Sequence, residues 1–301
     1  MSFLLAHLSD PHIGPLPRPR RRELFGKRVT GYLNWTRGRS RVHDMATLGH
    51  IIADVKAHRP DHIAVTGDIA NIGLPAEFQL ARHWLETLGA ATDVSFVPGN
   101  HDAYVRGSLP DLARVFAPWT TGETDREEPR AASRFPYLRV RGQVALIGLS
   151  SGVPTPFFIA SGRLGQRQLE ATEALLLECA RRDLVRVVML HHPPRAVASN
   201  VGRGLSDARD FEDVIRRTGA ELILHGHNHK QGVSYIEGPA RPTPVVGAPS
   251  ASAIRPAGHN RAAYHLFEVT GSSARDYSIN AWARGLLPNS TTIGDLGPVA
   301  L

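Results

Sequence analysis

Five short clusters of metal-binding residue types, each directly after a run of apolar residues, constrain this chain more than any other feature: Asp10-Pro11-His12, Gly67-Asp68, Gly99-Asn100-His101-Asp102, His191-His192 and Gly226-His227-Asn228-His229. Short apolar runs bounded by turn residues read as β-strands, and open α/β folds build their sites in the crevice at strand ends. Five strands delivering ligands to a common edge imply one site, gathered from across the chain. The donors are carboxylates, imidazoles and one amide, with no thiolate, which suits divalent ions of hard to borderline character rather than a structural zinc cage. They are too many for one ion. Two ions about 3.5–4 Å apart need a bridging group, and the lone Asp68 can give one carboxylate oxygen to each.

The hydrophobic pattern predicts strand 3–9, helix 41–58, strand 62–66, helix 75–89 and strand 94–98, the alternation of a layered α/β protein. A hairpin follows, 137–140 and 144–149 around Arg141-Gly142-Gln143. Helix 165–182, strand 185–190, helix 207–218 and strand 221–225 resume the alternation. Strands near 232–236, 243–247, 262–269 and 276–282 make the second half richer in antiparallel pairing.

In this order the five motifs resemble those of the calcineurin-like metallophosphoesterases, and the resemblance runs from residue 3 to about residue 235. It implies a four-layer α/β/β/α sandwich with two mixed β-sheets, a domain over residues 1–283 with a basic, aromatic insertion at about 15–41, and a Pro/Gly-rich tail, 284–301, that packs loosely. It implies two divalent metal ions (Mn, Fe, Zn or Co), which imidazole and carboxylate donors do not tell apart. Asp10, His12 and His229 would hold the first with Asp68; Asn100, His191 and His227 would hold the second with the same Asp68. His101 would face the phosphoryl group, donating a proton to the leaving alkoxide or stabilising charge on the phosphate oxygens, and Asp102 would orient it. Of the adjacent pair His191 and His192, whose side chains point opposite ways at a strand end, the resemblance favours His191. His7 and His225 are expected behind the site. His43, His50, His58, His62 and His83 are expected on solvated helix faces or their flanks.

The reaction so implied is hydrolysis of a phosphate ester by metal-activated water, and the motifs look most like those of bacterial cyclic-nucleotide and glycerophosphodiester phosphodiesterases. Related lipid-linked nucleotide pyrophosphatases usually have Arg where this chain has His101. A metal-dependent nuclease is a further alternative, and a non-enzymatic scaffold fits poorly with a full ligand set.

The second feature is the stretch 18–41, with nine basic residues and the single acid Glu23, a net of +8 in a chain whose formal charge is +7. Leu16, Leu24, Phe25, Val29, Tyr32, Leu33 and Trp35 lie in or beside it. Such a mixture can lie on an anionic membrane surface, draw a polyanionic substrate or nucleic acid toward the site, or pack its apolar residues on the body of the protein. The single cysteine, Cys179, allows no internal disulfide and reads as a small buried hydrophobe in a reducing compartment. The start of the chain lacks the pattern of a secretory signal, and no apolar run approaches a membrane span, so the expected location is the cytoplasm, peripheral to the inner membrane face if 18–41 binds lipid. Oligomeric state leaves no trace in the pattern.

Overall fold

The computed structural model describes residues 2–123, 135–195, 202–254 and 261–301. Its elements are, in order, β1 (Ser2–Leu8), α1 (Lys27–Arg37), α2 (Met45–Ala57), β2 (His62–Val65), α3 (Pro75–Leu88), β3 (Val94–Phe96), α4 (Leu109–Val115), α5 (Ala117–Thr120), β4 (Tyr137–Arg141), β5 (Val144–Gly148), α6 (Gln166–Arg181), β6 (Val185–Met189), α7 (Ala208–Thr218), β7 (Leu222–His225), β8 (Gly232–Ile236), β9 (Thr243–Gly247), β10 (Ala263–Ser273), β11 (Asp276–Leu286) and β12 (Ile293–Pro298).

The strand pattern itself builds the layers. Along β1, Phe3 and Leu5 point to one apolar cluster while Ala6 and Leu8 point to another, the period of two that a strand buried on both faces must show. In β6, Val185, Val187 and Met189 face the same inner cluster and Val188 faces outward. The inner cluster is the seam between two six-stranded sheets, ordered β12-β11-β10-β1-β2-β3 and β4-β5-β6-β7-β9-β8. The first sheet is covered by α2, α3 and α4 through Leu48, Ile51, Phe78, Leu85 and Leu112, and the second by α6 and α7 through Leu169, Leu176, Phe211 and Ile215. Cys179 is buried in that last layer. Both sheets mix parallel and antiparallel pairs, so the expected four-layer sandwich is the observed fold. The parallel strands β1, β2, β3, β6 and β7 all end at the edge where the five motifs begin.

Three expectations change. The helix expected over 41–58 starts at Met45, because Asp44 caps it by accepting the Thr47 N–H at 2.7 Å. The tail expected to be loose carries β12, which pairs antiparallel with β11 and extends the sheet past the boundary placed at residue 283. Its glycines and terminal Pro298 read as a turn, yet an edge strand tolerates both, and the register shift at Ala283/Arg284 sits opposite Gly297, whose φ is +99°. His62 is buried in β2 against Ser95 Oγ at 2.8 Å, and His43 is buried beside the site, so neither lies on a solvated face.

The 15–41 stretch is anchored to the body. Leu16, Leu24 and Tyr32 pack on Ile72, Leu74 and Tyr104. Gly31 lets α1 approach, since a Cβ there would lie 2.4 Å from Tyr104 Oη. Lys27 donates to Thr155 Oγ1 and the Ile159 carbonyl, and Arg28 to the carbonyls of Ile72 and Gly73.

On the far side, Asp54 of α2 accepts Arg284 Nε and Nη2 at 2.7 and 2.9 Å and the Tyr264 hydroxyl at 2.7 Å, tying helix to sheet. Burial pushes this carboxyl up, but the donors from Arg284 and Tyr264 outweigh it and hold Asp54 below its usual range. A depressed folded value stabilises above the unfolded value, about 3.9, and the contribution is lost as pH falls through the folded one. Asp54→Asn should therefore cost about 1–2 kcal/mol at neutral pH, with the gap to wild type narrowing below about pH 4; urea denaturation at both pH values checks it.

Candidate metal centre

The turns that leave the strands are strained where they carry site residues. Asp10, His12, Asp68, His227 and His229 all have positive φ, and they are five of the nine such non-glycine residues among those described. Strain of this kind persists where surrounding contacts over-determine it. Here the contacts are close: a Cβ on Gly99 would lie 2.2 Å from Asp68 Oδ1, and one on Gly226 would lie 1.8 Å from Ser9 Oγ and 2.4 Å from Asp10 Oδ2. The glycines in these motifs make room for the carboxylates of neighbouring strands.

The acidic and imidazole side chains converge in two lobes around Asp68. In one, His229 Nε2 lies 3.2 Å from Asp10 Oδ1 and 3.3 Å from His12 Nε2. In the other, His227 Nδ1 lies 2.9 Å from Asn100 Oδ1 and 3.3 Å from His191 Nε2. Asp68 Oδ2 faces both, 3.9 Å from His12 Nε2 and 3.3 Å from His191 Nε2. Its Oδ1 instead accepts the His101 N–H at 2.7 Å. One oxygen, rather than one for each lobe, is thus turned to the junction, because the other is taken by backbone.

A second layer sets the rings. His12 Nδ1 and His191 Nδ1 face the carbonyls of Ala70 and Thr66 at 3.3 and 2.7 Å, so the Nδ1–H tautomer leaves Nε2 open toward the lobe. Asp10 Oδ2 accepts from Ser9 Oγ and the His227 N–H, and a chain from His7 through Thr66 to Ser9 lies behind it. His225 points to the Gly226 carbonyl, also behind the site. His192 has partners on both nitrogens, Ser151 Oγ at 2.8 Å and the Ala160 carbonyl at 3.1 Å, whereas His191 Nε2 is turned to Asp68.

Whether such a cluster suits cations can be tested on its unsatisfied atoms. Among the described residues His227 Nε2 is buried with no hydrogen-bond partner, and Asp10 Oδ1 has only the His229 imidazole, 3.2 Å away, a state that is costly unless a further charge compensates it. Burial pushes both Asp10 and Asp68 up, but nearby imidazoles prevail and hold both carboxyls below their usual range. Burial and the neighbouring His191 push His227 down to about 3. Burial opposes protonation of His191 too, yet Asp68 lifts it to about 9. Two ionised carboxylates among imidazoles that can give up their protons form a donor set that divalent ions fit. The sets Asp10/Asp68/His191, His191/His192/His227 and His12/His43/His229 each bring ligand atoms within 4.8 Å of one another.

Asp102 does not orient His101. Its carboxylate accepts the N–H groups of Gly99, Asp68 and Ala70 at 2.8–2.9 Å, pinning two motif turns together from below; burial and Asp68 push it up to about 7. The His101 ring is held by the Asn71 carbonyl, 2.5 Å from Nδ1. Burial, with the Arg39 cation beside it, brings His101 down to about 3. Two site residues escaped the sequence reading. Arg39 bridges His12 and His101, and His43 packs its ring 4.6 Å from that of His12 while stacking on Trp35. Arg39 was one of many basic residues in 18–41, and His43 had no ligand spacing to any partner. A pocket of about 380 Å³ opens above the centre, lined in part by Arg39, Asp68, Asn100, His101 and Lys230.

The family model for calcineurin-like phosphoesterases matches residues 3–231. The chain belongs to the calcineurin-like phosphoesterase family. It is a hydrolase of phosphoesters. Over 203 residues it is 28% identical to a probable cyclic nucleotide phosphodiesterase of Synechococcus, covering 66% of this chain and 68% of that protein. Over 243 residues it is 27% identical to the glycerophosphodiester phosphodiesterase GpdQ of Enterobacter lignolyticus, covering 75% and 71%. Its fold is similar to that of a dimetal phosphatase from Danio rerio, with a TM-score of 0.60 at 13% identity over 92% of this chain and 98% of that one. Among the described residues no helix is long and apolar enough to cross a membrane.

Because Gly226 lies against Ser9 and Asp10, Gly226→Ala should displace the Asp10 carboxylate. The expected result is a loss of about 1–3 kcal/mol in stability together with a fall in manganese bound per chain, read by thermal denaturation and elemental analysis.

Proposed function

We propose that this protein is a metal-dependent phosphodiesterase acting on small phosphate diesters, with cyclic nucleotides and glycerophosphodiesters as the leading substrates. The observation that carries the reading is the His101 ring, standing beside a two-lobed ligand cluster, with Nδ1 on the Asn71 carbonyl and Nε2 beside the Arg39 guanidinium, at the lining of a pocket of a size suited to a small ligand. The names of the two relatives, a cyclic nucleotide phosphodiesterase and a glycerophosphodiester phosphodiesterase, agree with it.

On this reading Asp10, His12 and His229 hold one divalent ion with Asp68, and Asn100, His191 and His227 hold the other with the same carboxylate. Bound there, the ions would supply positive charge to the phosphoryl oxygens and acidify water. His101 assists the leaving group. An anionic diester next to the ring raises its proton affinity against burial and Arg39, so that Nε2–H can be given to the departing alkoxide, a step that matters most for poor leaving groups. Asp102 acts at one remove, by holding the turns that present Asp68 and Asn100.

The test is hydrolysis by manganese-loaded protein of bis-nitrophenyl phosphate, nitrophenyl phosphate, cyclic AMP, a glycerophosphodiester and a nucleotide-diphospho-lipid analogue, with Asp68→Ala, expected to lose metal, as the blank. Diesters should be preferred; a preference for the diphospho-lipid would overturn the reading in favour of a lipid-linked pyrophosphatase. His101→Ala should keep its metal yet lose roughly 10²–10⁴-fold on cyclic AMP, and less on the nitrophenyl diester.

A second reading concerns where the enzyme works. Val29 and Leu33, four residues apart on α1, stay 41% and 39% exposed along one stripe, and Phe25, just before the helix, is 73% exposed. Phe158, on the loop that Lys27 grips, is 90% exposed. Exposed Arg20, Arg21, Arg22, Arg37 and Arg41 belong to the same segment. A nuclease would use this charge equally, but the apolar stripe favours contact with an anionic lipid surface. Co-sedimentation with vesicles containing phosphatidylglycerol should fall when Arg20, Arg21, Arg22 and Arg37 are changed to Gln, and fall further with Phe25→Ser. Equal pelleting of wild type and variants would remove membrane contact from the account.

A further inference from the structure

Arg39 places a guanidinium inside the pocket, and among the described residues no carboxylate pairs with it. It sits in the short turn after α1. Nη1 donates to His101 Nε2 at 2.7 Å and Nη2 to His12 Nε2 at 2.8 Å. Asp68 and Asp10 act on it only through longer-range attraction, while burial and Arg203 oppose its charge. A partly desolvated cation of this kind needs an anion.

Both of its present acceptors are imidazole lone pairs, and one of them, His12 Nε2, points into the lobe with Asp10 and His229. A guanidinium has donors only and cannot itself ligate a cation. Once that lone pair is committed to a cation, Nη2 must find another acceptor in the same pocket. Arg203 and Lys230 also line the pocket, but both are exposed at its rim, whereas Arg39 reaches its floor beside His101. The turn that carries Arg39 is held in place. Trp35 is buried and lies parallel to the His43 ring, 6.2 Å and 5° apart, and His43 Nδ1 pairs with Ser252 Oγ at 2.8 Å. Lys27 and Arg28 are fastened to carbonyls at the other end of the helix. The guanidinium therefore arrives at a set position, not as one of several interchangeable surface charges.

We propose that Arg39 is a substrate-binding residue, whose two terminal nitrogens take the two non-bridging oxygens of the diester phosphoryl group beside His101. The proposal rests on the phosphodiesterase reading above. The planar fork of a guanidinium matches two oxygens of one phosphate, which the point charge of a lysine does not. It gives the basic segment a chemical task at the site, separate from any contact its outer face makes.

The experiment compares wild type, Arg39→Ala and Arg39→Lys, each loaded with manganese, by elemental analysis, by calorimetric titration with inorganic phosphate and by steady-state hydrolysis of bis-nitrophenyl phosphate. The expected result is unchanged metal content, phosphate binding weaker by at least about tenfold in Arg39→Ala, and kcat/KM lower by roughly 10²-fold. Arg39→Lys should fall between, and added guanidinium chloride should partly restore Arg39→Ala. Unchanged phosphate affinity would overturn the proposal. So would loss of metal from both variants, which would mean that Arg39 acts through His12. Should Arg39→Ala fail to fold, Arg39→Lys carries the comparison. If the wild type cleaves no diester, the phosphodiesterase reading falls and the phosphate titration alone decides Arg39.

Discussion

Two carboxylates, Asp10 and Asp68, buried between the ends of two sheets, are the constraint on which the rest of this structure depends. Among the described residues no arginine or lysine lies within ion-pair distance of either; each has one oxygen tied to backbone N–H and the other turned toward imidazole nitrogens. Burying charge in this way is affordable only when opposite charge arrives. The strained turns, the glycines pressed against the carboxylates and the paired second-layer carbonyls all hold the ligand atoms in this arrangement, at a cost in folding free energy that bound cations would offset.

The sandwich explains how one site can draw on residues more than two hundred positions apart. Each parallel strand is buried on both faces, so its direction is set by packing, and its C-terminal end is the first place where polar side chains can leave the core. The two sheets meet through one apolar seam, which brings the ends of β1, β2 and β3 against those of β6 and β7. Asp68 sits at that junction and faces both lobes. Asp102 lies beneath it, holding the Gly67-Asp68 and Gly99-Asn100 turns together by backbone contacts rather than touching the chemistry.

Legibility differed with the range of the interaction. Strand ends, helix spans and the five motifs are local patterns, and β1 through β11 lie close to where hydrophobic periodicity puts them. The edge strand β12 was hidden because Gly294, Gly297 and Pro298 carry turn chemistry that only an edge position accommodates. Asp102 was misread for a related reason: a carboxylate next to a histidine in sequence invites pairing, but the tight turn directs the two side chains apart, and the Asn71 carbonyl reaches the ring first. His43 and Arg39 had no signal of their own, since nothing in the order of residues shows that Trp35 would stack on one or that the other would reach His12 and His101.

By itself the sequence determined the class of donor, the order in which strands deliver it, the layered architecture and the membership in a phosphoester-hydrolysing family, because those follow from residue chemistry and short-range periodicity. Only the tertiary structure decided which of His191 and His192 faces Asp68, which oxygen of Asp68 is turned to the junction, that Asp102 serves the backbone, and that one arginine among nine basic residues enters the pocket. Those outcomes depend on which atoms are left unpaired when distant segments pack, and that balance is not written in any one stretch of the chain.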